Sequence, residues 1–397
     1  MKTKRITYID ENPPKNKQVF LRVDFDVSFN EDATISNDLR IQYKLPTIKL
    51  LLKNNNRIIC CSKLGRPKNR TPELSMKIVV ERLQTYLPDV TVLLVDDVLT
   101  EPEETFHKQQ PNEILVLENI RFYPEEKNND PKFTRTLASL ADIYVNDAFA
   151  MCHRTEASVV GVPSLLPAYG GLELKKEIEA ITEAIKHPKR PLVAIIGGAK
   201  ISTKITLISK LIEKADYLIL GGGLANVFFR AQRFSIGKSI CEYEMVLKAR
   251  QLLFLAAQKK TSIILPTDAL IGKPDDHEKG GKLIKIGDKI PSTLSLLDIG
   301  PETKAQFGAI IAQAKTIIWN GPVGLFENPA YRQGTDFIYY AITHNPDAIS
   351  VVGGGDTLAA INKKKYLDKI THISTGGGAM LEFIEKGTLP GIEALKK

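Results

Sequence analysis

Short apolar runs rich in branched residues alternate along the chain with longer segments of helical period. Residues 19–23 read as a strand, 39–52 as a helical segment and 58–61 as the next strand. The series continues through apolar runs at 92–95, 114–117 and 143–145. These runs do not alternate with polar residues, which is the pattern of parallel strands covered on both faces. The rhythm breaks near Pro163 to Gly171, after which 172–186 reads as one helix before His187-Pro188. It then restarts with strands at 193–196, 217–220, 263–265, 317–319 and 350–352, and near Ile373. The pattern predicts an α/β protein of two doubly wound parallel-sheet, Rossmann-like domains, with residues 1–170 in the first, 171–186 as a connecting helix and 187–376 in the second.

Length agrees with that division, since 397 residues exceed what one hydrophobic core usually supports. A hydrophobic fraction of 43% and a charged fraction of 25% are ordinary for a soluble globular chain. No apolar run reaches the roughly 20 residues of a membrane helix, and the opening Met1 to Ile6 leads into no signal-like core. A cytoplasmic protein is therefore expected, with no membrane partner. Cys60, Cys61, Cys152 and Cys241 have no metal-site spacing and argue against a disulfide framework. The net charge of +8 suits either nucleic acid or small phosphorylated ligands. Without a basic tail or a block of like charges, it points to small anions and away from nucleic acid.

Glycine supplies the first chemical signal. Gly221-Gly222-Gly223, Gly353-Gly354-Gly355, Gly376-Gly377-Gly378 and the pair Gly197-Gly198 each end a predicted strand and precede a helical segment. Such turns let backbone approach a ligand, and the following helix end presents N–H groups to phosphate. Four of them at strand carboxyl ends in one half of the chain point to a nucleotide. The dinucleotide fingerprint is absent, because Asn226, Leu358 and Leu381 stand where its third glycine belongs. A Walker loop is absent too, because Gln232 stands where its first glycine would precede Gly237-Lys238-Ser239.

Cations supply the second signal. Arg22, Arg66, Arg121 and Arg154 lie at or just after strand ends of the first half, and Arg40 opens its first helix. Several guanidinium groups at one sheet edge suit a small, multiply anionic ligand, because their planar forks bind carboxylate and phosphate oxygens in pairs. In Gly197-Gly198-Ala199-Lys200-Ile201-Ser202-Thr203-Lys204 two lysines four apart are expected on the first helical turn, projecting from one face toward phosphate. Asp356, after the second glycine run, suits an N-cap, a magnesium ligand, or both.

Seven stretches, in this order, make the chain resemble the phosphoglycerate kinase family over nearly its whole length. They are Arg22-Val23-Asp24-Phe25-Asp26-Val27, Leu64-Gly65-Arg66-Pro67, Glu118-Asn119-Ile120-Arg121-Phe122, Val145-Asn146-Asp147-Ala148-Phe149, Gly197-Gly198-Ala199-Lys200, Trp319-Asn320-Gly321-Pro322-Val323-Gly324 and Gly353-Gly354-Gly355-Asp356-Thr357. The resemblance implies reversible phosphoryl transfer between 1,3-bisphosphoglycerate and ADP, giving 3-phosphoglycerate and ATP, by a monomer that uses Mg2+. It places Asp24, Phe25, Asp26, Arg40, Lys63, Leu64, Gly65, Arg66, Arg121 and Arg154 at the phosphoglycerate. It places Lys200, Lys204, Asn320, Glu327, Gly354, Gly355, Asp356 and Thr357 at the nucleotide, with Glu327 on the ribose and Asp356 on the metal. Arg40, Lys200, Gly354 and Gly377 are implied at the transferring group. It also implies that the segment from about 377 to 397 returns to the first domain. Two positions depart from the family pattern: Asp26 stands where asparagine is usual, and Lys63 where histidine is usual. The two changes nearly cancel in charge, so a compensating contact between them is expected.

Overall fold

The computed structural model describes residues 5–277, 280–361 and 364–396. Met1–Lys4 of the charged opening and Lys397 of the returning segment lie outside the described residues. The chain divides into two compact units, residues 1–179 with 388–397, and residues 180–387.

In the first unit the strands are β1 (Gln18–Arg22), a short antiparallel hairpin of β2 (Ser28–Phe29) and β3 (Ile35–Asn37), then β4 (Arg57–Cys61), β5 (Thr91–Val95), β6 (Glu113–Leu117), β7 (Ile143–Asn146) and β8 (Ala168–Gly170). Six of them form a sheet in the order β5-β6-β4-β1-β7-β8. Every pairing in it is parallel. All five residues of β1 are buried, as expected for a central strand covered on both faces. The chain runs from β1 outward in one direction and later returns to β7 on the other side. That leaves a switch point beside β1, and the loops after β1, β4 and β7 meet there.

The segment expected as one helix over 39–52 is two, α1 (Leu39–Gln42) and α2 (Leu45–Lys53). Pro46 explains the break: it lacks an N–H and disfavours helical geometry in the residue before it, so it begins a new helix rather than continuing one. The α1 turn is thereby free to project Arg40 toward the switch point.

The long helix α3 (Leu172–Lys186) begins in the first unit and ends in the second. Asp147, next to the end of β7, accepts the Glu173 and Leu174 N–H groups at 2.9 and 3.0 Å and so starts this helix.

The second unit repeats the architecture with β9 (Leu192–Ile196), β10 (Tyr217–Leu220), β11 (Ser262–Ile264), β12 (Asp268–Gly272), β13 (Lys282–Lys285), β14 (Ser295–Ile299), β15 (Thr316–Asn320), β16 (Ile349–Gly353) and β17 (His372–Ser374). Its main sheet, in the order β11-β10-β9-β15-β16-β17, is again parallel throughout. An antiparallel sheet, β13-β12-β14, stands beside it and has no counterpart in the sequence reading. Helices α4 (Ile205–Ile212), α5 (Gly223–Ala231), α6 (Gly355–Ala360) and α7 (Gly378–Lys386) follow the glycine turns. Since α7 packs on α4, the residues that rejoin the first unit begin at Thr388. No described helix is long and apolar enough to cross a membrane.

Candidate functional site

Past the end of β1 the chain carries Asp24, which is 1% exposed, into a group of cations. The Arg40 guanidinium lies 2.5 Å from its Oδ2, and Lys63 Nζ lies 3.6 Å from its Oδ1. Burial opposes ionisation of this carboxyl, but the Arg40, Lys63, Lys44 and Arg22 charges outweigh it and hold the pKa at about 2. Asp26 sits two residues on. It is ion-paired with Lys63, lies 3.7 Å from Arg40, and accepts the Gly65 N–H at 2.7 Å. The contact expected between Asp26 and Lys63 is therefore present in the structure.

The turns bearing these groups are braced from behind. The Phe25 N–H donates to Ser62 Oγ at 2.8 Å, joining the turns after β1 and β4. Asn119 accepts the Leu64 and Arg121 N–H groups and donates to the Leu64 and Leu74 carbonyls. Glu118 in turn accepts the Met76 and Asn119 N–H groups. Arg121 donates to the Gly65 carbonyl at 2.7 Å. Burial first, then the Arg22 and Arg154 charges, depress the pKa of Arg121, although Glu156 and Asp26 act the other way.

The structure thus brings Asp24, Asp26, Arg40, Lys63, Gly65 and Arg121 into one charged cluster. Arg66 and Arg154 are exposed on the loops after β4 and β7. Phe25 and Leu64 turn their side chains into the core of the first unit, and they contribute by fixing the turns. Arg22 departs from the expectation of a ligand-facing arginine. It is fully buried, with Nε donating to Ser158 Oγ at 2.7 Å and Nη1 to the Val23 carbonyl at 2.5 Å. Inside the core the Ser158 and carbonyl acceptors, and the charges of Glu126 and Glu156, offset its desolvation. Sequence reasoning missed Lys44, a buried cation at the joint between α1 and α2. Its only signal was a lysine placed directly before Leu45-Pro46.

In the second unit the site is made of backbone. At the switch point between β9 and β15, Gly197 N–H donates to the Asn320 carbonyl and Gly198 N–H to the Pro322 carbonyl. The approach is so close that a Cβ on Gly197 would lie 2.0 Å from the Pro322 oxygen. Gly354, with φ +113°, begins α6 in a conformation that side chains rarely adopt. Asn320 Nδ2 donates to the Gly353 carbonyl at 2.7 Å, and Thr357 Oγ1 donates to the same carbonyl while accepting the Gly321 N–H. Both buried side chains hold the glycine turns in place. Gly355 and Asp356 are exposed at the start of α6, and Gly377 N-caps α7 after β17.

Two expectations are corrected here. Lys200 and Lys204 do not share a helical turn, because α4 begins only at Ile205. Ser202 ties the intervening bend to Glu242, leaving Lys200 exposed before the helix. Lys204 folds back instead, and its Nζ donates to the Gly197 carbonyl at 2.6 Å. Burial lowers its pKa to about 8, against the opposing influence of Asp356. Asp356 is not an N-cap, since Gly354 occupies that position and Asp356 lies in the first turn of α6.

Beside these turns opens a cavity of about 310 Å³, lined by Gly198, Gly222 and Asp356 on one side and by Phe229, Leu297 and Phe326 among its apolar walls. Glu327 also lines it. Buried Asp298, pushed up to about 7 by desolvation, accepts the Gly334 and Ile299 N–H groups and closes one wall. The volume and mixed lining fit a small organic ligand with one anionic end. Among the described residues no three His, Cys, Asp or Glu side chains group as a metal site. A single carboxylate at the mouth of a phosphate cradle is the arrangement magnesium tolerates, since it keeps several waters and takes further oxygens from phosphate. On that chemistry Asp356 fits the ion.

The family model for "Phosphoglycerate kinase" matches residues 9–387. A phosphoglycerate kinase of Moorella thermoacetica is 45% identical over 381 residues, covering 96% of each chain. The protein named "Phosphoglycerate kinase 3, cytosolic" of Arabidopsis thaliana is 41% identical over 399 residues, covering 100% of this chain and 99% of that one. The solved structure of phosphoglycerate kinase from Coxiella burnetii matches with a TM-score of 0.87 and 39% identity over 98% of both chains. Charged cluster, glycine-built cavity and these likenesses together establish that the chain belongs to the phosphoglycerate kinase family.

Proposed function

We propose that this chain transfers a phosphoryl group reversibly between the γ-position of ATP and the carboxylate of 3-phosphoglycerate. The first unit holds the acid and the second holds the nucleotide. The observation that carries this reading is the Asp24, Asp26, Arg40, Lys63 and Arg121 cluster at the switch point of one sheet, in a chain whose other sheet ends in glycine turns around a cavity.

In this reading Arg40, Lys63, Arg66, Arg121 and Arg154 take the substrate's phosphate and carboxylate oxygens. Asp24 keeps Arg40 and Lys63 charged and in position. The carboxylate oxygen attacks the γ-phosphorus, the new O–P bond forms as the bond to the β–γ bridging oxygen breaks, and ADP leaves with that oxygen's electron pair. No proton moves, so no catalytic base is required. The positive charge of Arg40 and Lys200 and the N–H groups at the Gly354 and Gly377 turns face the migrating group. They stabilise charge on its equatorial oxygens. Lys204 and the Gly355 turn hold the remaining phosphates, and Glu327 takes the ribose. Magnesium, held by Asp356, supplies further neutralisation of phosphate charge when bound. Transfer requires the two units to close, which also keeps water from the acyl phosphate, and α3 is the segment on which they turn. We place the protein in the cytoplasm as a monomer.

A coupled assay with 3-phosphoglycerate, ATP and magnesium tests this. ADP should form only when the acid is present. Acid-independent ADP formation, or none, would overturn the assignment.

A further inference from the structure

We infer that Asp26 is an internal competitor of the acid substrate, occupying with its own carboxylate the donors that an incoming carboxylate or phosphate needs. The inference rests on the reading that the first unit holds 3-phosphoglycerate.

Two donors of the cluster are already engaged. The Lys63 ammonium is ion-paired with Asp26 Oδ2, and the Gly65 N–H donates to Asp26 Oδ1 at 2.7 Å. One carboxylate therefore bridges a side-chain cation and a backbone amide, the pairing expected of a bound anion. Gly65 has φ +62°, and a Cβ there would lie 2.8 Å from Leu74 Cδ2, so its N–H direction is set by the turn. The Lys63 side chain is only 8% exposed, so without a partner it would be a nearly desolvated charge.

Asp24 and Asp26 differ in this respect. Asp24 is sealed beneath the cations and acts as their fixed counter-charge. Asp26, with 28% of its side chain exposed, lies nearer solvent, where a ligand can displace it. Between them Asp24 and Asp26 contact both Arg40 and Lys63. An anionic ligand then gains only the difference between its own contacts and those Asp26 gives up. Asp26 thereby sets affinity downward, and it favours ligands whose carboxylate or phosphate can span both Lys63 and the Gly65 amide over those offering a hydroxyl.

The test is calorimetric titration of 3-phosphoglycerate into the full chain, its Asp26→Asn and Lys63→Met variants, and the double variant. Asp26→Asn should bind the acid at least about threefold more tightly, the scale expected when one partly exposed ion pair no longer competes. Lys63→Met should cost little in the parent and about tenfold in the Asp26→Asn background, where Lys63 is released to the ligand. Unchanged or weaker binding by Asp26→Asn, or equal cost of Lys63→Met in both backgrounds, would overturn the inference. Thermal melting checks each variant, and Asp26→Ser gives the same comparison if the asparagine variant does not fold. A parent chain that neither binds nor turns over 3-phosphoglycerate refutes the functional reading and this inference with it. A parent that does both, with no gain from Asp26→Asn, refutes the inference alone.

Discussion

The two candidate sites occupy equivalent places, each at the switch point of a six-stranded parallel sheet, yet they are built from different material. In the first unit the chemistry lies in side chains, with Arg40, Lys63 and Arg121 held by Asp24, Asp26 and the Gly65 carbonyl. In the second it lies in backbone turns at Gly197, Gly222 and Gly354, and buried Asn320 and Thr357 serve to hold those turns. A small, densely charged acid calls for discrete cations whose positions are fixed by counter-charges. A nucleotide calls for a cradle of N–H groups beside an apolar wall. One topology can carry either kind of site because the switch point delivers whatever the loops carry.

The contrast is broken most severely by removing a cation from the first site. Arg40→Ala should lower kcat on the order of 100-fold or more and raise the KM for 3-phosphoglycerate far less, since its charge matters most as the phosphoryl group moves. Lys200→Ala should behave alike from the other unit. Steady-state kinetics separates the two parameters, and near-normal kcat in either variant would contradict the assignment.

Asp24→Asn tests the counter-charge role through stability. The folded pKa of Asp24, about 2, lies below its ordinary value of 3.8. Its contribution is therefore present above about pH 4 and lost as pH falls through about 2. Chemical unfolding should show the variant less stable by roughly 2 kcal/mol near neutrality. The gap should narrow steadily below about pH 4. A gap that does not change with pH would remove the electrostatic explanation.

The second site should respond to backbone, not charge. Gly197→Ala forces a Cβ toward the Pro322 oxygen, and overpacking of this kind costs about 1–3 kcal/mol of stability; the displaced turn should also weaken MgADP binding. Affinity for 3-phosphoglycerate should not change. The smallest expected effect is a proton. Lys204 titrates at about 8, below its ordinary 10.5, so a bound phosphate that restores its charge should take up a fraction of a proton between those values. Calorimetry of MgADP at about pH 9 in buffers of different ionisation enthalpy measures it. Lys204→Met should abolish the uptake.

The same contrast explains what was legible beforehand. Parallel strands buried on both faces announce themselves as unbroken apolar runs, so β1, β4, β9 and β15 were readable within a residue or two. The β13-β12-β14 sheet was not, since Lys282–Lys285 is short, largely exposed and set among Gly, Asp and Lys. Arginines at strand ends pointed to the charged cluster, but nothing local distinguished Arg22, which turns inward to Ser158, from Arg40, which pairs with Asp24. Glycine runs marked the turns beside the ends of β9, β10, β16 and β17, whereas the direction of Lys200 and Lys204 depended on where α4 begins. The bend before that start is tied to Glu242, forty residues from Ser202 in sequence. The pairing of Asp26 with Lys63 was legible only as two departures from a family pattern whose charges balance.

If each ligand has its own site on its own unit, titrating 3-phosphoglycerate and MgADP into Asp356→Ala and Arg121→Ala by calorimetry will separate them. Asp356→Ala should weaken MgADP binding and leave 3-phosphoglycerate binding unchanged, and Arg121→Ala should do the reverse. Equal loss of both ligands in either variant would contradict the division.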